Sequence, residues 1–208
     1  DFFEWTNKMM FNQDPEMAAD HAEAEAASFK VIEYAMKLME QHKTNPKKDI
    51  IGALLQGNGK DEGLSDEEFV WFFLMLIAAG NESTRTVTTQ GMRMLMENPE
   101  QLQYLVDNPD KIPGACEEML RYNTAFTLMR RQCMEDTEVG GHLIKKDDKV
   151  IMHYHTENHD ETIFGADAMQ FDVRRAERMP NLYNEHRAFG IGQHFCLGTH
   201  LARLEMRV

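Results

Sequence analysis

The sequence is short of basic residues and of cysteine, and it has no long apolar run; each shortage removes a class of protein. Lys and Arg total 22 against 35 Asp and Glu, a formal charge of −13 over 208 residues. That balance, with a pI near 5.1, opposes the basic footprint that phosphate backbones and anionic lipid surfaces select. Nucleic acid is not an expected partner. The longest apolar run, Phe69 to Ala79, falls short of the ~20 residues needed to cross a bilayer, so no membrane span is expected. Cys116, Cys133 and Cys196 are the only cysteines and lack C-x-x-C spacing. That argues against a zinc ribbon and a disulfide framework, and for a reducing, cytoplasmic compartment. What remains is a chain with 42% hydrophobic residues, too apolar to be disordered and long enough for one sizeable core.

The chain opens on Asp1 with no basic-then-apolar leader, and Leu197, Leu201, Leu204 and Val208 keep the spacing of a buried helical stripe that stops without a cap. The first end is read as set by processing or truncation, and the last helix as cut in mid-course. Between them the periodicity predicts a short helix over 2–11 ended by Asn12-Gln13-Asp14-Pro15, and a long one from about Ala18 to His42. The apolar stripe of that long helix is Phe29, Ile32, Ala35 or Met36, and Met39. A further short helix covers Asp49 to Gln56, and the turn residues Gly57 to Gly63 form a loop. Ser65 with Glu68 spells a capping box, and Asp66-Glu67-Glu68 suits a helix start. The next stop is Asn98-Pro99, which makes this helix about thirty residues against a usual ~11–12. Short helices follow over 100–106 and 110–122. The period then alternates over 137–139, 142–144 and 149–155, predicting a small antiparallel meander. Residues 157–188 are polar without a clear period, and the sixteen methionines are read mostly as core filling.

Three stretches carry chemistry. Phe189-Gly190-Ile191-Gly192-Gln193-His194-Phe195-Cys196-Leu197-Gly198 places two glycines and one thiol just before a helix start. Glycines let backbone lie close against a flat ligand, and amide donors at a helix start favour a thiolate. A lone thiolate without other ligands at cage spacing suits a single axial bond to a haem iron, although a lone Cys beside a turn is ordinarily structural. Second, Ala78-Ala79-Gly80-Asn81-Glu82-Ser83-Thr84 interrupts the apolar run of the long helix, a breach of local propensity where function is expected. Third, Glu118 and Arg121 share one helical face, a spacing that in isolation is usually an exposed ion pair. His153, His155 and His159 could be read as a strand-borne metal pair with a third ligand, but no carboxylate or cysteine completes the shell.

In these stretches the chain resembles the cytochrome P-450 family, the haem-thiolate monooxygenases. Phe189 to Gly198 matches F-G-x-G-x-H/R-x-C-x-G at every fixed position, Glu118 to Arg121 matches E-x-x-R, and Ala79 to Thr84 matches A/G-G-x-D/E-T-T/S except at Ser83. The resemblance implies a mainly α fold with a small antiparallel β-sheet. In chain order it implies a lid and following helices (1–64), an oxygen-groove helix (65–97), the E-x-x-R helix (110–122), the meander (137–155), and the cysteine loop with the start of its helix (189–208). It implies haem b (iron protoporphyrin IX) on Cys196, with Phe189, Gly190, Gly192, Gly198, Ala79 and Gly80 against it. His194 and Arg131 would hold propionates, Arg130 competing with Arg131. Glu82, Ser83 and Thr84 would deliver protons, and Glu118 with Arg121 would be a structural pair. Met75, Ala78, Phe126, Thr127 and Met129 would face an apolar substrate.

The implied reaction inserts one oxygen atom of O2 into an unactivated C–H bond, with electrons from NAD(P)H through a ferredoxin reductase and a ferredoxin. Phe3-x-Trp5-Thr6-Asn7-x-Met9-Met10, Asp14-Pro15-Glu16, Ala79 to Glu82 and Ile144-Lys145-Lys146 are similar to the bacterial steroid C26-monooxygenases. Those enzymes oxidise the terminal methyl of a cholesterol-type side chain. Enzymes of terpenes, alkanes or branched lipids, a peroxide-driven enzyme and a silent haem-binding relic are the alternatives. Serine at position 83 keeps the hydroxyl but loses the methyl that limits its rotamers, so leakage of reducing equivalents to peroxide is expected. Family members are about twice as long, which implies that this stretch alone holds haem poorly.

Overall fold

The computed structural model describes residues 2–11, 20–57 and 62–208, and these divide into two compact units, Asp1–Glu82 and Ser83–Val208. The expected stop at Asn12 to Pro15, the Asp14-Pro15-Glu16 stretch, the helix start at Ala18 and the loop tip at 58–61 lie outside the described residues. The fold is mainly α with small antiparallel sheets.

The first unit holds α1 (Phe2–Met10), α2 (His21–Thr44), α3 (Ile50–Gln56) and the opening of α4 (Asp66–Glu97). Asp20 caps α2 by accepting from the Glu23 N–H at 2.8 Å. The buried face of α2 is Ala24, Ala27, Val31, Ala35 and Met39, whereas Phe29 and Met36 of the expected stripe are exposed. Side-chain size explains the offset. Short residues let Phe2, Trp5 and Met9 of α1 close on a core of Val31, Ala35, Met39, Phe69 and Phe73. Phe29 and Ile32 instead line an open cleft of about 430 Å³ with Trp71 and Leu74. The methionines depart from expectation similarly: among the described residues only Met39, Met94 and Met119 are buried.

At the far end of α2, His42 is buried with both ring nitrogens against acceptors, the Leu38 carbonyl at 2.9 Å and the Asp49 carboxylate at 3.0 Å. Asp49 also caps α3, accepting from the Gly52 N–H at 2.9 Å. Ser65 and Glu68 form the reciprocal capping box at the start of α4: the Ser65 N–H donates to the Glu68 carboxylate at 2.9 Å and the Glu68 N–H to the Ser65 hydroxyl at 3.3 Å. From there α4 runs 32 residues through Gly80.

In the second unit α5 (Pro99–Asp107), a 3₁₀ turn and α6 (Ile112–Tyr122) follow α4. Val87, Met94, Leu95, Leu105, Ala115, Met119, Leu120 and Val173 form its main core. The strands correct the expected meander. β1 (Met129–Gln132) pairs antiparallel with β4 (Lys149–Met152), and β2 (Thr137–Val139) pairs with β3 (His142–Ile144) in a separate two-stranded sheet. Two backbone bonds, Cys133 N–H to the Asp148 carbonyl at 2.9 Å and Asp147 N–H to the Cys133 carbonyl at 2.8 Å, prolong the β1–β4 ladder. The β2–β3 hairpin is thus an excursion from a wider hairpin rather than the middle of one sheet. Residues 157–188 carry α8 (Glu161–Phe164), α9 (Arg175–Arg178) and α10 (Leu182–Glu185) after α7 (Tyr154–Glu157), each too short to show a period. The closing helix α11 (Thr199–Met206) leaves the expected stripe outside: Leu197, Leu201, Leu204 and Val208 are all exposed.

Candidate functional site

The cysteine loop leaves α10 and folds back on itself. Gly190 and Gly192 each take φ +73°, the left-handed region that side chains disfavour, and the Cys196 N–H donates to the Phe189 carbonyl at 2.9 Å to close the loop. α11 starts three residues after the thiol. Cys196 is half-buried and unpaired by disulfide, with Ile191, Phe195 and Leu197 exposed around it. His194 is exposed on the same loop.

On α6 the E-x-x-R pair is wholly buried, Glu118 and Arg121 both at 0% exposure, against the exposed pair that the spacing alone suggests. The Arg121 fork donates to the two Glu118 oxygens at 2.7 and 2.8 Å. Its remaining nitrogen reaches the Asn158 and Ala168 carbonyls at 2.6 and 2.8 Å. Arg175, 1% exposed, donates from Nε to both Glu118 oxygens at 3.1 Å, and the Asp172 N–H adds a bond at 3.0 Å. One carboxylate therefore organises the irregular chain from Asn158 to Arg175, a burial that is tolerable because every lone pair is used.

The middle of α4 presents Ala79 and Gly80 to the outside, with nothing within 4 Å of where a Gly80 Cβ would stand. Glu82 is buried, Ser83 and Thr84 half-buried. The Asn81 amide donates to the Glu82 carboxylate at 3.1 Å and to the Thr6 hydroxyl at 2.5 Å. Met75 is exposed and Ala78 half-buried on the turn before. Further along the chain Phe126, Thr127 and Met129 are exposed beside β1, where alternation puts Met129 and the half-buried Arg131 on one face and the exposed Arg130 on the other.

The three histidines do not share a strand. β4 ends at Met152, His153 precedes α7, and the His159 ring donates to the His155 carbonyl at 2.8 Å. Among the described residues no strand face carries a His pair and no three metal-ligating side chains gather. Burial pushes the His159 imidazole down.

Sequence reasoning missed Arg175, Glu117, His186 and Arg203. Arg175 lies in the stretch without period, so nothing local marked it. Glu117 is buried beside Glu118 and takes the Arg203 fork at 2.8 and 2.9 Å and the His186 Nε2 at 3.0 Å. A doubled glutamate on a helix face that is otherwise buried was the available signal.

The donor set fits a haem. Among the described residues a single thiol without cage partners stands beside exposed apolar side chains, and a Gly192 Cβ would meet nothing within 4 Å. Residues 2–208 match the family model described as cytochrome P450. The chain is 38% identical over 208 residues to the steroid C26-monooxygenase of Mycolicibacterium smegmatis, covering 99% of this chain and 46% of that protein. It is 37% identical to the methyl-branched lipid omega-hydroxylase of Mycobacterium bovis, covering 99% of this chain and 47% of that one. Among solved structures, CYP109E1 from Bacillus megaterium in complex with corticosterone superposes with a TM-score of 0.84 at 31% identity, covering 98% of this chain and 53% of that one. The chain thus spans about half the length of the relatives it matches. From its cysteine loop, its buried E-x-x-R pair and these matches, this chain belongs to the cytochrome P450 family, whose cofactor is haem.

Proposed function

We propose that the complete protein is a haem-thiolate monooxygenase that places one oxygen atom of O2 on the terminal side-chain methyl of a sterol or similar branched lipid. The observation that carries the reading is the Cys196 loop, in which two left-handed glycines and a backbone bond to Phe189 hold one unpaired thiol among apolar side chains. Haem held there would supply an iron that activates O2, toward which the Cys196 thiolate would push electron density. Cys196 would hold it, His194 and Arg131 would take its propionates, and Phe189, Gly190, Gly192, Gly198, Ala79 and Gly80 would lie against it. Glu82, Ser83 and Thr84 would pass protons along one turn of α4. Met75, Ala78, Phe126, Thr127 and Met129 would bind and orient the apolar substrate while excluding water.

Electrons would come from NAD(P)H through a ferredoxin reductase and a ferredoxin. The relatives named steroid C26-monooxygenase and methyl-branched lipid omega-hydroxylase are 38% and 37% identical, against 32% for one named linalool 8-monooxygenase, which favours this class over terpenes. The test is the reduced, carbon-monoxide-bound spectrum of the complete protein, followed by product analysis from a cholesterol-type sterol with the ferredoxin system. Absence of a thiolate-type band sinks the haem-thiolate reading. A band with product from peroxide alone would replace the ferredoxin, and a band with no lipid oxidised would favour the silent relic.

A further inference from the structure

The loop that carries Cys196 is held at both flanks by one carboxylate. Glu117 on α6 accepts from the Nε2 of His186, three residues before Phe189, and from the guanidinium fork of Arg203, on α11 beyond the thiol. The Ala188 N–H donates to His186 Nδ1 at 3.3 Å, which leaves the ring proton on Nε2 and makes the imidazole a donor to Glu117. Arg203 also donates to the Thr199 hydroxyl at 2.6 Å, in the first turn of α11. Its guanidinium lies 4.7 Å from the centroid of the Phe189 ring, and the Phe189 carbonyl is the acceptor of the Cys196 N–H.

Every contact in this set ends on one side or the other of the thiol. Burial works to raise the Glu117 carboxyl, but the hydrogen bonds from His186 and Arg203 outweigh it and hold it below the ordinary carboxylate range, so the strap stays charged. The adjacent Glu118 accepts all its bonds from Arg121, Asp172 and Arg175, so the two glutamates divide the chain behind α6 between them. The loop tip from Ile191 to Phe195 is exposed and lends little packing of its own, so its shape depends on its flanks.

We infer that Glu117 is a positioning residue that fixes the sulfur of Cys196 where it would hold the haem, acting through His186 and Arg203. The inference rests on the reading of Cys196 as the haem ligand. The test uses the full-length, haem-loaded protein and its Glu117→Gln variant, which keeps the size of the side chain but loses the charge and turns an amide donor toward a donor. At equal haem content, the share of reduced carbon-monoxide complex with a thiol-type band should rise about tenfold, the scale of one lost charge-assisted hydrogen bond. Hydrogen exchange at the Cys196 amide should quicken by about the same factor. Arg203→Lys, which keeps the charge but not the fork, should move both readings the same way.

Gln101→Ala is the comparison. Gln101 clasps the Phe171 carbonyl and the Val173 N–H at 3.0 and 2.8 Å and makes no hydrogen bond to the cysteine loop, so its loss should destabilise the fold without moving the band. Unchanged band and exchange in Glu117→Gln, or an equal band change in Gln101→Ala, would overturn the positioning role. A wild-type protein lacking the thiolate-type band would overturn the underlying ligand reading instead, and Cys196 exchange would still decide whether Glu117 shapes the loop.

Discussion

Replacing Glu118 by glutamine tests the buried charge cluster at its centre. Glu118 is fully buried and receives two bonds from Arg121 at 2.7 and 2.8 Å, two contacts from Arg175 at 3.1 Å and one from the Asp172 N–H at 3.0 Å. The variant leaves two buried guanidinium groups facing one neutral amide whose NH2 is itself a donor. Breaking a buried pair from one side costs about 3–5 kcal/mol, because the remaining charge is uncompensated. At ~1.4 kcal/mol per decade, that is roughly two to nearly four orders of magnitude in the folded-to-unfolded ratio. Urea unfolding of the full-length, haem-loaded protein, followed by far-UV circular dichroism, reads the loss directly. Lys37→Ala, which removes an exposed pair with Glu33, should leave the midpoint in place. A loss below about 1 kcal/mol for Glu118→Gln, the range of exposed pairs, would refute the claim that this carboxylate organises residues 158–175.

Other outcomes follow from single contacts. Ser83→Thr restores a methyl that restricts the hydroxyl rotamer, so more of the NAD(P)H consumed should appear as hydroxylated product and less as peroxide; equal partition in both proteins would count against it. The Asp49 hydrogen bond, and after it the Leu38 carbonyl, raise the His42 pKa above its ordinary value. The contribution of His42 to stability is therefore full below an unfolded pKa of about 6.5 and lost as pH rises through the higher folded value. The stability gap between wild type and His42→Ala should narrow across that window, and a gap that stays flat would show that the ring carries no charge. Gly114→Ala would set a Cβ 2.8 Å from the Ala176 Cβ, a methyl that has no rotamer to retreat into. Overpacking of about 1–3 kcal/mol should outweigh the ~1 kcal/mol gain in helix propensity and lower the unfolding temperature.

What was legible in the sequence was local. The Ser65–Glu68 box, the stop at Asn98-Pro99 and the cysteine loop each lie within a few consecutive residues, where spacing alone states the geometry. The buried face of α2 was hidden because apolar weight drew the stripe to Phe29, while close packing selected Ala24, Ala27 and Ala35. The pairing of β1 with β4 was hidden because the partners are separated by another hairpin. Arg175 meets Glu118 across 57 positions, from a segment whose helices have four residues each. Long-range charge pairing leaves no period to read, and only the doubled Glu117-Glu118 hinted that α6 buries more than one acid.

The three thiols are chemically distinct, and that makes a built-in gauge. Cys116 is 1% exposed, its thiol donates to the Met206 carbonyl at 3.4 Å, and burial pushes it up to about 11. A neutral-pH alkylating reagent would pass it by in the native chain. Cys133 and Cys196 are half-buried and remain open to labelling. In the proposed haem-bound form the Cys196 sulfur is occupied, so alkylation of the Cys196 peptide, read against that of the Cys133 peptide, falls in proportion to the cofactor carried.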